Sequence, residues 1–404
     1  MSQKMDTAHH ILVRNKIHPA GLALFGASYT VGPKVDRPDM IALRSDVLYT
    51  KDYGDTLFAV GRAGVGLDNI DEGKFDTATE RGICIFNAPG ANSRSVAQIT
   101  MAAIMGNARH ITDANSASRS FHRQEPERIK GYVEQHKSQF PGFELEAKTL
   151  GVIGLGYAGV EVVNLAIKIG MKVIGYDTHL TLQHALRLTN DENFSIARSM
   201  EQVLRSADII TVHVPLNDKT KHLIGRPQIE LMRDDATVVN YAREDIYDDA
   251  AVIEALDEQK LSYYLNDFPS SDLVHTKVYS TMHQGASTPE SEKRCAVMVC
   301  QQLKDFAEFG AVVNSVNFPT VEVPLHSDTH TRITIVNKDI PGMIASYTGL
   351  LAGAGINIPS VSGDNNGTIG YYIIDVPTEV PSEVLRAIND VKGVIRVRAI
   401  TMSR

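Results

Sequence analysis

The stretch Thr149–Asp177, TLGVIGLGYAGVEVVNLAIKIGMKVIGYD, decides the fold. Thr149–Ile153 is a short apolar run, β-branched at three of five positions, and reads as a buried parallel strand. Gly154, Gly156 and Gly159 follow at the spacing G-x-G-x-x-G, with Tyr157 and Ala158 between the last two. Val160–Ile169 repeats apolar residues at helical intervals and stops at Gly170, a C-cap. Met171–Tyr176 is a second strand, closed by Asp177.

Each part has a physical task. Gly154 permits the tight turn, Gly156 lets backbone approach a pyrophosphate, and Gly159 lets helix pack closely on strand. The helix N-terminus then offers free N–H groups and its positive dipole end to the phosphates. Asp177 lies 18 residues after Gly159, where a carboxylate accepts from an adenosine ribose. Its charge repels a 2′-phosphate, and Thr178 and His179 offer no arginine, so NAD is expected over NADP.

Strand–helix alternation continues downstream. Helices are expected at Ser199–Ala207 (Ser199 as N-cap), Arg226–Arg233 and Asp248–Gln259. Strands are expected at Asp208–Pro215, Ala236–Arg243, Leu261–Asp267 and Lys277–His283. This predicts a doubly wound parallel sheet, whose ligands lie at the carboxyl ends of the strands. Asp177, Pro215, Ala242 with Arg243, Asp267 and His283 all fall at such ends.

Composition narrows the function. The net charge of −8 argues against nucleic acid as the main partner, because phosphate backbones need a basic face. Three cysteines at irregular spacing supply neither a disulfide framework nor a metal site. No run of 18 apolar residues occurs and the first residues carry no signal-peptide core, so a cytoplasmic protein without a membrane partner is expected.

GVIGLGYAGV, HVPLNDKTKHLI, VVNYARED and HQGASTPES, in that order, resemble the signature of the D-isomer-specific 2-hydroxyacid dehydrogenases. VGRAGVGLDNID (Val60–Asp71) and FNAPGANSRSVAQ (Phe86–Gln98) resemble the same family's substrate-domain motifs. The 148 residues ahead of the phosphate loop then have a purpose. The resemblance implies a flavodoxin-like substrate domain, residues 1–95 with 287–320, into which a Rossmann-like NAD domain, 96–286, is inserted. A cleft between them would hold substrate and close over the hydride transfer.

By that resemblance His283 is the acid/base and Arg243 binds the substrate carboxylate and polarises its carbonyl. Asp267 matches an acid that contacts the nicotinamide end of the cofactor. Gly154, Gly156, Tyr157, Ala158, Gly159, Asp177, Pro215 and Ala242 complete the cofactor set. The family's D-V-F-x-x-E-P pattern carries a glutamate that pairs with the histidine. Here NDFPSSDLVH puts Ser271 near that position with Asp272 next, so either Asp272 substitutes or the histidine works without a carboxylate. For the substrate, GRAGVG offers Arg62, Ala63 and Gly64, and NSRSVAQ offers Asn92, Arg94 and Ser95 at a helix N-terminus. Arg62, Arg81 and Arg94 are the cations expected for a substrate phosphate.

After residue 328 the pattern changes to β-α-β-β-α-β, a ferredoxin-like α+β module with its hairpin turning at GDNNG. VNKDIPGMIASYTGLLAGAGINI resembles an ACT domain, a module that pairs through its sheet edges and binds amino acids. By that resemblance Asn337, Asp339 and Asn357 are effector residues. A 2-hydroxyacid dehydrogenase ending in such a module resembles the branch that oxidises 3-phosphoglycerate in serine synthesis, with L-serine as effector and a homodimer or homotetramer as assembly. Glyoxylate, hydroxypyruvate or D-lactate reduction, and a non-catalytic NAD-binding regulator, are the alternatives.

Overall fold

Five short strands near the N-terminus pair in parallel: β1 (His9–Arg14), β2 (Tyr29–Gly32), β3 (Met40–Leu43), β4 (Ala59–Arg62) and β5 (Cys84–Phe86). Their spatial order is β2-β1-β3-β4-β5, the flavodoxin-like arrangement. All of β3 and β5 is buried, as continuous apolar strands covered on both faces must be. The computed structural model describes residues 9–119, 126–146 and 148–402. These divide into two units, one running to Asn92 and resuming at Pro289, the other Ser93–Thr288.

The second unit contains the stretch that opened the reading. Its seven strands are β6 (Thr149–Ile153), β7 (Lys172–Tyr176), β8 (Phe194–Ile196), β9 (Ile209–Val212), β10 (Ala236–Asn240), β11 (Leu261–Asn266) and β12 (Val278–Ser280). They form one parallel sheet in the order β12-β11-β10-β9-β6-β7-β8. The order reverses at β6, so the switch point falls beside the phosphate loop. Helices pack on both faces over two apolar clusters, one around Val203, Val238 and Leu256, the other around Met101, Val162 and Leu265. Ser199 caps the helix Met200–Ser206 by accepting from Gln202 N, and Asp248 caps the helix Asp249–Asp257 by accepting from Ala251 N. The helix after the phosphate loop begins at Tyr157, three residues ahead of its apolar repeat, because Gly156 serves as N-cap.

The C-terminal module is an antiparallel sheet of β13 (Thr331–Lys338), β14 (Ser360–Asn365), β15 (Ile369–Val376) and β16 (Val394–Thr401). Its order β14-β15-β13-β16, with helices Met343–Gly353 and Ser382–Asn389, is ferredoxin-like. Alternate residues of β15 serve different cores. Ile374 and Val376 join Ile333, Ile335, Tyr347 and Leu351 under the module's own helices. Ile369, Tyr371 and Ile373 join Phe58, Phe86 and Phe306, so the opposite sheet face packs on the N-terminal sheet and the helix Pro289–Phe309.

Two arginines secure that contact. Arg332 and Asp375 are each 1% exposed and form a two-pronged pair, Nε–Oδ1 2.7 Å and Nη2–Oδ2 2.8 Å. Arg332 also donates to the carbonyls of Phe309, Val323 and Pro324. Arg398 lies 3.9 Å over the ring of Phe58 and donates to the carbonyls of Phe306 and Ala307, the last turn of the long helix. Burial draws its guanidinium down to about 10, still charged at neutral pH.

Candidate active site

The phosphate loop follows from its glycines. Gly154 has φ +93°, and a Cβ there would stand 2.6 Å from the carbonyl oxygen of His213. A Cβ on Gly159 would stand 1.9 Å from the Gly154 oxygen, so only glycine lets helix and loop close. Around Gly156 there is open space, nothing lying within 4 Å of a Cβ, which leaves the helix N-terminus approachable. This cradle of free N–H groups fits a dinucleotide pyrophosphate. Ala158 packs partly buried against the cluster beneath, and the ring of Tyr157 is flanked by the Arg187 guanidinium at 5.4 Å and the His184 ring at 4.6 Å.

Asp177 ends β7 as expected, and the structure gives it a second task. Its Oδ2 accepts from Leu155 N and its Oδ1 from His179 N, both at 2.7 Å. The carboxylate therefore pins the phosphate loop while remaining half-buried at the carboxyl end of the strand. On the other side of the loop, burial pushes the His213 imidazole down to about 4, so it is neutral. Pro215 follows β9 and its carbonyl accepts from the Thr220 hydroxyl.

Strands β10, β11 and β12 are in register at Asn240, Asn266 and Ser280. Their carboxyl ends therefore bring Arg243, Asp267 and His283 to one edge of one sheet. Ala242 N donates to Asn240 Oδ1 at 3.2 Å, and Asn240 Nδ2 donates to Arg243 O at 2.8 Å, shaping the turn that carries the arginine. Arg243 is half-buried, with Nη1 donating to Ala242 O at 2.7 Å. His283 is exposed and its ring meets the Phe268 ring edge-on at 5.0 Å. Among the described residues no carboxylate is paired with His283, and Asp272 accepts instead from Ser271 Oγ. Asp267 is 1% exposed, and both its carboxylate oxygens accept from the loop Thr281–Gly285.

In the other unit Arg62 ends β4 and its Nε donates to Arg44 O at 3.2 Å. Ala63 N donates to Leu43 O, and a Cβ on Gly64 would meet Arg62 Nη1 at 2.5 Å, so the turn folds against the guanidinium. Arg44 is a residue the motif reading omits. Leu43 pairs with Arg62 in the sheet, so Arg44 follows the end of the neighbouring strand. Burial raises the pKa of Cys295, with Arg62, Arg294 and Arg44 opposing the rise; Arg44 Nη2 pairs with Glu292 Oε1 at 2.7 Å in the first turn of the helix Pro289–Phe309, and Arg294 Nε donates to Ala91 O at 2.8 Å. Arg81 stands apart, on Gly54 O and Asp55. Asn92 is half-buried at the end of its segment; Arg94 is exposed and Ser95 buried in the first turn of the helix Ser93–Ala108.

The effector residues are divided within the module. Asn337 is 2% exposed, donates to Lys338 O, and leaves Oδ1 without a partner among the described residues. Asp339 and Asn357 are exposed.

A family profile described as D-isomer specific 2-hydroxyacid dehydrogenase, NAD binding domain, matches residues 101–289. A D-3-phosphoglycerate dehydrogenase of Methanocaldococcus jannaschii is 39% identical over 298 residues, 71% of this chain. The chain spans about half of that relative's length, 53%. A D-3-phosphoglycerate dehydrogenase of Haemophilus influenzae is 30% identical over 356 residues, covering 85% of this chain and 81% of its own. Among solved structures, NAD+-bound 3-phosphoglycerate dehydrogenase of Entamoeba histolytica shares the fold at a TM-score of 0.59 and 24% identity, over 77% of this chain and 99% of that one. No helix among the described residues is long and apolar enough to cross a membrane.

Proposed function

The chain belongs to the NAD-dependent D-isomer-specific 2-hydroxyacid dehydrogenases, and from that premise we propose that it oxidises 3-phospho-D-glycerate to 3-phosphohydroxypyruvate, the entry to L-serine synthesis. The observation that carries this reading is likeness over most of both chains to the Haemophilus influenzae enzyme of that activity, 85% and 81%. The grouping of Arg44 and Arg62 beside Arg294 supports it, since a phosphate needs more than one cation.

Oxidation removes the hydroxyl proton to a base and the C2 hydride to the cofactor, leaving a 2-oxo acid. NAD, when bound, supplies the hydride acceptor. His283 takes the proton at its imidazole in oxidation and returns it in reduction. The fork of Arg243 suits the substrate carboxylate, and turning Nη1 off the Ala242 carbonyl frees it for that contact. Arg62 and Arg44, with the backbone of Ala63 and Gly64, offer donors to the phosphate; Asn92, Arg94 and Ser95 are further polar groups for the substrate. Gly154, Gly156, Tyr157, Ala158 and Gly159 cradle the pyrophosphate, Asp177 the ribose, and Pro215 and Ala242 line the cofactor's path.

The C-terminal module is proposed as an ACT-like regulatory element that binds L-serine through Asp339 and Asn357 and pairs with its counterpart in a dimer or tetramer. Because Tyr371 and Ile373 are part of the N-terminal unit's core, deleting the module would unfold its neighbours. Asn357→Ala is the cleaner test: calorimetry with L-serine should lose its binding signal while turnover persists.

NADH absorbance followed with 3-phosphohydroxypyruvate, glyoxylate, pyruvate and hydroxypyruvate tests the catalytic reading. Fastest turnover of the phosphorylated acid is expected. Preference for glyoxylate or pyruvate would move the chain to another branch of the family, and no turnover of any of the four would make it a regulator.

A further inference from the structure

We propose that Arg81 and Arg396 form a second anion site, at the amino edge of the N-terminal sheet, which takes a phosphate dianion as the free ion or as the head of a phosphomonoester. The site stands apart from the candidate active site and does not depend on which 2-hydroxy acid the chain oxidises.

Topology separates the two. Arg62 closes β4 and Arg44 follows β3, so the cations assigned to the substrate lie at the carboxyl edge of the parallel sheet. Arg81 and Gly82 lead into β5, and the segment Gly54–Leu57 leads into β4, so both lie at the opposite, amino edge. A strand of this length puts roughly 10 Å between the two edges.

Both guanidiniums reach the same short segment. Arg396 lies on β16 opposite Val336, on the sheet face that meets the N-terminal core. Its Nη1 donates to Leu57 O at 2.7 Å. Arg81 Nη2 donates to Gly54 O at 3.3 Å. Gly82 permits the approach: its φ is +64°, and a Cβ there would stand 2.8 Å from Arg396 Cβ. The turn Arg81–Gly82 therefore runs directly alongside the Arg396 side chain.

The pair lacks a matching acid. Arg396 is half-buried and forms no ion pair among the described residues; burial, followed by the charge of Arg81, lowers its pKa. Arg81 has Asp55 at 3.6 Å, a fully exposed carboxylate that can turn into solvent. A guanidinium carries five donors, and Arg396 spends one on Leu57 O. A partly buried cation with spare donors beside a second cation is destabilising until an anion joins them. Two guanidiniums match the several oxygens and double charge of phosphate better than a single carboxylate does. Bound there, the anion ties β16 of the C-terminal module to the segment ahead of β4.

The test is calorimetry of inorganic phosphate with the full chain, in an Arg62→Ala background that weakens binding at the candidate active site. Arg62→Ala should still bind phosphate. Adding Arg81→Met or Arg396→Met should weaken that binding about 10-fold or more, the worth of one charge-assisted hydrogen bond. Phosphate should also raise the melting temperature of Arg62→Ala above its value in potassium chloride of equal ionic strength, and the rise should shrink with Arg81→Met. Arg81 follows the end of a short helix with a third of its side chain exposed, so Arg81→Met decides alone should Arg396→Met not fold. Glycerol 3-phosphate separates the two sources: binding of both ligands makes the site open to esters, and binding of inorganic phosphate alone makes it a site for the free ion. Equal binding with and without Arg81→Met would overturn the proposal. Phosphate binding that Arg62→Ala abolishes outright would overturn it too, and would leave the substrate reading intact.

Discussion

The arginines of the C-terminal module and those at the strand ends of the two parallel sheets are the same residue type in opposite service. Arg332 is buried and Arg398 half-buried, and the groups they meet belong to the fold: the Asp375 carboxylate, helix-end carbonyls, and the rings of Phe58 and Phe306. Arg243 and Arg62 are half-buried at carboxyl ends of strands, where Arg243 Nη1 donates to the Ala242 carbonyl and Arg62 Nε to the Arg44 carbonyl. A guanidinium fully matched inside the protein has no donors left for a substrate, whereas one turned onto a replaceable carbonyl has. On the proposed function, position in the sheet, more than residue type, divides structural from chemical arginines.

The largest expected effect sharpens this contrast from the structural side. Arg332→Ala leaves the Asp375 carboxylate buried without a cation, and should cost about 3–5 kcal/mol of unfolding free energy by denaturant titration. Turnover per folded molecule should hold. A loss under about 1 kcal/mol would mean that the pair is replaceable by water and does not secure the module.

Arg243→Ala should behave the opposite way. Two charge-assisted hydrogen bonds to a carboxylate are worth roughly 3 kcal/mol together, so kcat/KM should fall about 10²-fold. The unfolding midpoint should stay where it is, because a half-buried arginine bonded to its neighbour adds little to the fold. If both quantities dropped together, the division between the two kinds of arginine would fail.

The smallest effect concerns the acids beside Arg243. Burial, followed by the charges of Glu244, Asp245, Asp248 and Asp272, raises the Asp249 carboxyl to about 6. Between about pH 4 and 6 the folded chain then holds a proton that the unfolded chain has released, so stability falls as pH rises through that window. A half-exposed group is partly screened, and the cost at pH 7 should be about 1 kcal/mol. Asp249→Asn should therefore raise the melting temperature at pH 7 and leave it unchanged at pH 4. An equal shift at both pH values would assign the effect to something other than charge.

Much of this architecture is legible in local sequence, because the signals act within a few residues. The phosphate loop needs Gly154 and Gly159 for reasons contained in one strand–loop–helix, and Ser199 and Asp248 cap helices three residues away. Long-range pairings are not legible in this way. Arg44 carries no motif of its own; it matters because Leu43 lies opposite Arg62 in the sheet. Arg332 opens an alternating strand and reads as a surface residue until Asp375, 43 residues later, is folded against it. The short strand Phe194–Ile196 escapes a periodicity reading because two of its three residues are exposed. Asp267 matches a cofactor motif in sequence, but nothing in that motif announces the bonds its carboxylate accepts from Gln284 N and Gly285 N, 17 and 18 residues later.

The claim that phosphate is read by arginines is tested most directly by removing the phosphate from the substrate. With NADH, kcat/KM for 3-phosphohydroxypyruvate and for hydroxypyruvate should be compared in the wild type and in Arg62→Ala. The wild type should favour the phosphorylated acid by about 10²-fold or more, the worth of two charge-assisted contacts, and Arg62→Ala should lose most of that preference while keeping its turnover of hydroxypyruvate. Equal use of the two acids by the wild type, or a preference untouched by Arg62→Ala, would contradict the account.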